Sequence, residues 1–424
     1  MFTKILSPDE EIDQGSSVTE HLASASHRPR LGRNRVVRVH YGMYPSYCAR
    51  RYCTRNFDND GRLANTWASS VKDNIEDRPL VSIIINNYNY ARFLDEAISS
   101  ALNQTYPHVE IVVVDDGSTD DSRQLIADYE DHIVSVLKEN GGQSSACNAG
   151  FAASRGEIVI FLDADDYLLP CAVERVVAVW EPGVVKAQYR LEEVDALGRP
   201  LGELYPPRHK SLDSGMVWPV LLKKGHYVTP VTSGNAFSRE VLDRVLPVPE
   251  AEFRNPADSY LVNVVPFYGR VGSIEEGLGA YRIHGSNDWS LTALSGERFH
   301  HYVRTDLQIH ALIIRKADEL GYRVPRDLHL RDHPSLSTRM VSLRLDPQKH
   351  PIPSDHSLRL VYWGLCSTWQ YSEFNWKQRL LLSLWFIWVG LLPLPLARPV
   401  IALMFLPRSR PGAVEWIIER FVRR

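Results

Sequence analysis

The chain has 424 residues, 44% of them hydrophobic and 23% charged, with a formal net charge of −3. That length exceeds one small domain and allows a sizeable core, while a charge so near neutrality argues against a nucleic-acid partner. The five cysteines, Cys48, Cys53, Cys147, Cys171 and Cys366, are odd in number and scattered, which predicts reduced thiols in a cytoplasmic protein rather than disulfides or a zinc site.

The first residues, MFTKILSPDEEID, hold no apolar run, so no secretory leader is expected. Residues 1–78 lack a steady period and read as a basic, irregular N-terminal arm. Between His21 and Phe57 there are eight arginines and no acidic residue. Such a run is expected to be a solvated arm, or a contact for anionic lipid or a partner.

From Leu80 the pattern becomes regular. LVSIIIN is a short apolar run bounded by Asn and reads as a buried strand. ARFLDEAISSALNQ spaces Phe93, Ile98, Ala101 and Leu102 as a helix does. VEIVVVDDGS is a second strand ending in acids, and STDDSRQLIADYE opens a helix on Ser and Asp. HIVSVLKEN, SSACNAGFAAS and GEIVIFLDADD follow as strand, small-residue helix and strand. This alternation implies right-handed crossovers and an α/β fold with an open, mainly parallel sheet flanked by helices. Ligands of such sheets bind at the carboxyl ends of the strands, which puts Asn86–Asn89, Asp115–Asp116 and Asp163–Asp166 on one rim.

Beyond Pro170, VVKAQYRLEEVDALGRPLGELY reads as a hairpin through Gly198–Pro200. TSGNAFSREVLDRV reads as a strand feeding a helix, ADSYLVNVVPFYG as a helix and SIEEGLGAYRIHGSN as a strand and loop. A helical C-terminal extension is expected from residue 296. Its histidines, His300, His301 and His310, lack acids at metal spacing.

The carboxylates of Asp163, Asp165 and Asp166 repel a diphosphate directly, but hold one through Mg²⁺ or Mn²⁺, which prefers hard oxygen ligands shared with phosphates. Asp115 and Asp116 suit a base N–H or a ribose hydroxyl, and also suit capping the next helix. The first loop, Asn86-Asn87-Tyr88-Asn89-Tyr90, lacks the Gly-x-Gly-x-x-Gly of a dinucleotide-binding enzyme.

VSIIINNYNYARFLDEAISSALNQTYPHVEIVVVDDGSTDDS and NGGQSSACNAGFAASRGEIVIFLDADD together resemble the family-2 inverting glycosyltransferases of GT-A fold, of the bacterial cell-surface polysaccharide type. The likeness is dense over residues 80–170 and thinner to Asn287. It implies that Asn87, Tyr88, Asn89, Asp115 and Asp116 hold the nucleoside of the donor. Asn148 falls at the Asn of the family's third-helix motif and is implied as a donor contact, with Cys147 where an Arg often stands. Asp163 and Asp165 are implied as metal ligands, Asp163 also touching the donor, with Asp166 beside them. Asp258, opening a helix about a hundred residues on, is implied as the general base. GAYRIHGSN resembles the family's Tyr-Arg-x-His segment, implying Arg282 as a diphosphate contact and His284 as a third metal ligand.

Near the C-terminus, Leu380 to Ala397 is uncharged over 18 residues, and Lys377 to Arg424 holds eight Lys/Arg against two Glu. That is marginal for a membrane span, and Pro393 and Pro395 interrupt it. The expectation is a monotopic, re-entrant or peripheral anchor on an anionic cytoplasmic leaflet, against a buried helical hairpin packed on the catalytic domain or a second subunit.

The expected layout is therefore an arm at 1–78, a GT-A catalytic domain at 79–295 with donor half 79–170 and acceptor half 171–295, a helical region at 296–375 and a membrane-associating tail at 376–424. The expected activity is metal-dependent transfer of one sugar from a nucleoside-diphosphate sugar, UDP foremost, to a lipid-linked or polysaccharide acceptor at the cytoplasmic face of the bacterial inner membrane. A processive synthase would add several spans and a Gln-x-x-Arg-Trp motif, and the chain has neither. A degenerate nucleotide-sugar-binding or scaffold protein is the alternative, disfavoured by the joint presence of Asp115, Asp163, Asp165 and Asp258.

Overall fold

The structure is a computed structural model that describes residues 78–285, 287, 293–406, 410 and 412. The arginine-rich arm, apart from Arg78, lies outside the described residues, as does most of the chain after Leu406.

The strands expected up to Asp163 form as β1 (Val81–Asn87), β2 (Val109–Asp116), β3 (Val134–Lys138) and β4 (Ile158–Asp163). β1 lies between β2 and β4, and β3 lies outside β2, all parallel. All seven residues of β1 are buried, as befits a strand covered on both faces. Helix α1 (Ala91–Leu102) packs Leu94, Ala97, Ile98 and Ala101 into one core. α2 (Ser122–Asp128) follows β2. α3 (Gln143–Ala153) lies on the other sheet face, where Ala146 and Cys147 join Ile84, Val112 and Phe161. Its small residues are needed there, because a Cβ on Gly150 would lie 2.3 Å from Ile84 Cγ2.

The second half of the sheet is mixed. After the two-residue β5 (Tyr167–Leu168) and α4 (Ala172–Ala178), β6 (Val184–Asp195) and β7 (Pro200–Tyr205) make the expected hairpin. α5 (Trp218–Lys224) precedes β8 (Asn235–Ser238), which feeds α6 (Arg239–Val245). α7 (Ala257–Val264) leads to the long β9 (Arg270–Ile283). The strand order is β3-β2-β1-β4-β8-β6-β9-β5, with β7 beside β6. β8 runs antiparallel to both β4 and β6, while β9 is parallel to β6. The all-parallel part thus comprises β1 to β4.

The helical C-terminal region comprises α8 (Gly296–Glu319), α9 (His333–Leu345), α10 (Ser357–Gln370), α11 (Trp376–Leu391) and α12 (Leu394–Phe405). Asn375 opens α11 with a reciprocal capping box with Gln378. α11 and α12 put Phe386, Val389 and Ile401 into a core with Phe299, Leu336 and Met340. One face of the expected tail is therefore a hairpin packed on protein. No helix among the described residues is long and apolar enough to cross a membrane.

Candidate active site

β1, β2 and β4 end side by side, with Asn87 registered on Asp115 and Asn86 on Asp163. Polar residues there leave the sheet core at one edge. The loop after β1 is laced to the turn after β2. Asn87 Nδ2 donates to Asp115 Oδ1 and Ser118 Oγ, both at 3.1 Å. Asn89, at φ +59°, accepts from Thr119 N at 2.7 Å and donates its own N–H to Ser118 Oγ at 2.9 Å; Asn is among the residues that tolerate this left-handed backbone. Tyr88, at 46% exposure, is the open aromatic of this rim.

The adjacent acids do different work. Burial pushes the Asp115 carboxyl up, but hydrogen bonds from Arg123, Ser118 and Asn87 outweigh it and hold it below its ordinary range. Asp116 accepts from Gly141 N at 2.9 Å, Gly142 N at 2.7 Å and Lys138 Nζ at 2.6 Å. It thereby fixes the turn that opens α3, where Gly142 sits at φ +92° with Arg254 and Asn255 too close for a Cβ.

The turn after β4 carries the acid cluster. Burial first, then repulsion from Asp165 and Asp258, pushes Asp163 up to about 7. Asp166 is raised well above its ordinary value by burial and by repulsion from Asp165 and Asp163. It accepts from Ser233 Oγ at 2.6 Å and Arg282 N at 2.9 Å, so its oxygens brace the turn from within. Asp165 Oδ2 meets His284 Nε2 at 2.9 Å. His284 is packed edge-on against Tyr90 and tilted against Phe93, its ring centroid 5.5 and 5.1 Å from theirs.

Asp258 comes to the same place from α7. It stands at the second position of that helix, whose N-cap is Pro256, so it is not the capping residue. Burial raises its pKa against hydrogen bonds from Ser259 and Thr232. A hydrogen bond from the Thr232 side chain acts to lower the Asp163 pKa as well.

These groups fit a hard divalent cation. Asp163 and Asp165 are mutually repelling and partly buried, a strain that a cation relieves. His284 Nδ1, Asn86 Oδ1 and Asn87 Oδ1 are buried on this rim without a hydrogen-bond partner. Among the described residues no three His, Cys, Asp or Glu side chains form a ready metal cage. Mg²⁺-type sites that share the ion with substrate phosphates use one or two carboxylates and need no such cage.

Two expected donor contacts have other commitments. Asn148 is bound on both sides to the segment after α6, donating to Val248 O and Glu250 and accepting from Val248 N. Arg282 is buried, donating to Asp165 O at 2.8 Å and to Glu96, and lying 4.7 Å over the Phe93 ring. Its guanidinium holds the acid turn in place from behind.

Sequence reasoning missed Gln143, Thr232, Ser233 and Asn287. Gln143 bridges Asp163 to α7, and Ser233 donates to Asp166 and accepts from Asp163 N. Asn287 accepts from His284 N at 2.9 Å and donates to Arg282 O at 2.8 Å. Only the polar TSG run before β8 marked any of them in the sequence.

Residues 82–245 match the model of Glycosyl transferase family 2. An uncharacterized glycosyltransferase of Nostoc sp. is 40% identical over 213 residues, which is 49% of this chain and 66% of that protein. A putative teichuronic acid biosynthesis glycosyltransferase of Bacillus subtilis is 39% identical over 94 residues, 21% of this chain and 37% of that one. The chain thus spans less of these relatives than their full length. Among solved structures, Staphylococcus aureus TarS 1–349 in complex with UDP aligns over 78% of this chain and 93% of its own, at 15% identity and a TM-score of 0.43. The Pyrobaculum calidifontis mannosyltransferase with GDP-Man and Mn²⁺ aligns over 86% and 94%, at 18% identity and the same TM-score. Residues 82–245 are a domain of glycosyl transferase family 2.

Proposed function

We propose that the protein is an inverting glycosyltransferase that moves one sugar from a nucleoside-diphosphate sugar, UDP-linked in our reading, to a lipid-linked or polysaccharide acceptor of bacterial surface glycan synthesis. The observation that carries this is the convergence of Asp163, Asp165 and Asp258 on one rim, where Gln143 ties Asp163 to the start of the helix that carries Asp258. The family match and the teichuronic-type relative support the substrate class.

In this reading the nucleoside lies over the rim of Asn87, Tyr88, Asn89 and Asp115, with Asp116 keeping the α3 turn in shape. Asp163 and Asp165, with His284 beside Asp165, hold Mn²⁺ or Mg²⁺. A cation bound there would supply positive charge to the leaving diphosphate. Asp258 takes the proton of the acceptor hydroxyl. That oxygen bonds to the anomeric carbon as the carbon–phosphate-oxygen bond breaks, and the diphosphate leaves with the electron pair. Attack opposite the leaving group inverts the anomeric centre. Burial raises the pKa of Asp258, which makes its carboxylate a stronger base than a free one. Arg282 and Asn148 act here as positioning residues. The reaction is proposed to occur at the cytoplasmic face of the inner membrane.

The test incubates purified protein with UDP-, GDP- and dTDP-sugars and Mn²⁺ or Mg²⁺, with and without EDTA, and measures released nucleoside diphosphate. EDTA-sensitive release from one donor supports the reading. No release, together with no metal-dependent binding of any of the three nucleotides, overturns it.

A further inference from the structure

The C-terminal hairpin is apolar on both of its sides. One side of α11 packs Leu382, Trp385, Phe386 and Val389 into protein. The other side carries Leu381, Leu384, Trp388 and Leu391, spaced by three, four and three residues so that they form one helical stripe. That stripe is open: Leu381 and Trp388 are each 50% exposed and Leu391 57%. On α12, Leu396 and Leu403 are also exposed, at 59% and 36%. A helix end of this kind on a water-facing surface would carry polar residues at these positions, and a contiguous apolar patch marks an interaction surface.

The charge of the segment in sequence selects the occupant. From Phe374 to Val414 the chain has five Lys or Arg (Lys377, Arg379, Arg398, Arg408 and Arg410) and no acidic residue. A second copy meeting this face would bring the same cations against each other. An anionic bilayer surface complements them. Trp376, 66% exposed at the start of α11, and Trp388 suit the headgroup boundary. α11 has 16 residues, about 24 Å of helix, short of the roughly 30 Å hydrocarbon core. A helix of that length is too short to cross the core but can lie along the boundary.

We propose that the exposed α11–α12 stripe is a docking face for an anionic lipid bilayer. The proposal deepens the reading of the acceptor as lipid-linked. Vesicle binding is measured apart from nucleotide release, so either can fail alone.

The full chain is sedimented with vesicles of neutral phosphatidylcholine and with vesicles containing phosphatidylglycerol. The expected result is binding at least about tenfold stronger to the anionic vesicles, falling as salt screens the cations. The double variant Leu384→Glu/Trp388→Glu is expected to lose about tenfold or more of that binding while keeping its thermal midpoint and its nucleotide release. Absence of binding to either vesicle, equal binding to both, or a dimer in solution that the double variant dissolves would each overturn the proposal.

Discussion

Gln143 Nε2 donates to Asp163 Oδ1 at 3.0 Å, and the oxygen of the same amide accepts from Ala257 N at 3.3 Å. Since Ala257 precedes Asp258, one side chain sets both the proposed metal carboxylate and the helix that carries the proposed base. Ser144 tightens the joint, its N–H donating to Arg254 O at 3.0 Å. Gln143→Ala is expected to lower kcat/KM by about 10–100-fold with little change in stability, the size seen when support of a metal ligand is removed. Gln143→Glu keeps an acceptor for Ala257 N but sets a carboxylate against Asp163, so it is expected to weaken Mn²⁺ binding, measured by calorimetry, differently from the alanine variant. Equal metal binding in both variants and the wild type would sink the idea.

Asp163 and Asp258 make separable contributions in the proposed reaction. Asp258→Asn is expected to lower kcat by about 10²–10⁴-fold while leaving donor binding within about twofold, because a base acts on the acceptor. Asp163→Asn is expected to lose metal-dependent binding of the nucleotide. Nucleotide titrations with and without Mn²⁺, beside single-turnover rates, separate the two.

A second buried charge cluster predicts a pH dependence of stability. Asp332 lies 3.0 Å from both His226 Nδ1 and His310 Nε2. Beside it, burial and repulsion from Asp332 push Asp306 up to about 7. An acid raised in the folded state contributes stability that is full below its unfolded value near 3.9 and is lost as pH rises through about 7. Asp306→Asn should therefore stabilise the protein by roughly 1–2 kcal/mol at pH 8 and by almost nothing at pH 4. Urea denaturation at the two pH values checks this; a gain of equal size at both would refute the assignment.

The helical hairpin rests on one close approach. A Cβ on Gly364 of α10 would lie 2.5 Å from the ring of Phe386 on α11. Gly364→Ala should cost about 1–3 kcal/mol despite the better helix propensity of Ala, because Phe386 is fully buried and has no room to yield. Differential scanning calorimetry of the variant reads the loss directly.

The parallel half of the sheet was legible because its signals are local. LVSIIIN, VEIVVVDD and GEIVIFLD are apolar runs that only a strand covered on both faces accommodates, and the turns after them carry the acids. With the topology rule, these runs alone put Asn87, Asp115 and Asp163 on one edge. The tail was legible only as apolar and basic. Whether Leu380–Ala397 meets lipid or protein depends on which side of each helix faces the core, and both sides are apolar, so periodicity carried no direction.

Composition and pattern thus determined the α/β class, the polar rim and its carboxylates, since each follows from neighbours within a few residues. Tertiary structure alone decided the rest. The antiparallel insertion of β8 between β4 and β6 brings Thr232 and Ser233 to the acid turn, and the α3–α7 joint brings Asp258 across. It also decided that Arg282 and Asn148 spend their hydrogen bonds inside the protein. Those partners lie about 70 to 190 residues apart in the chain, as with Ser233 and Asp166 or Arg282 and Glu96, and a side chain's choice among distant partners depends on packing that no local window encodes.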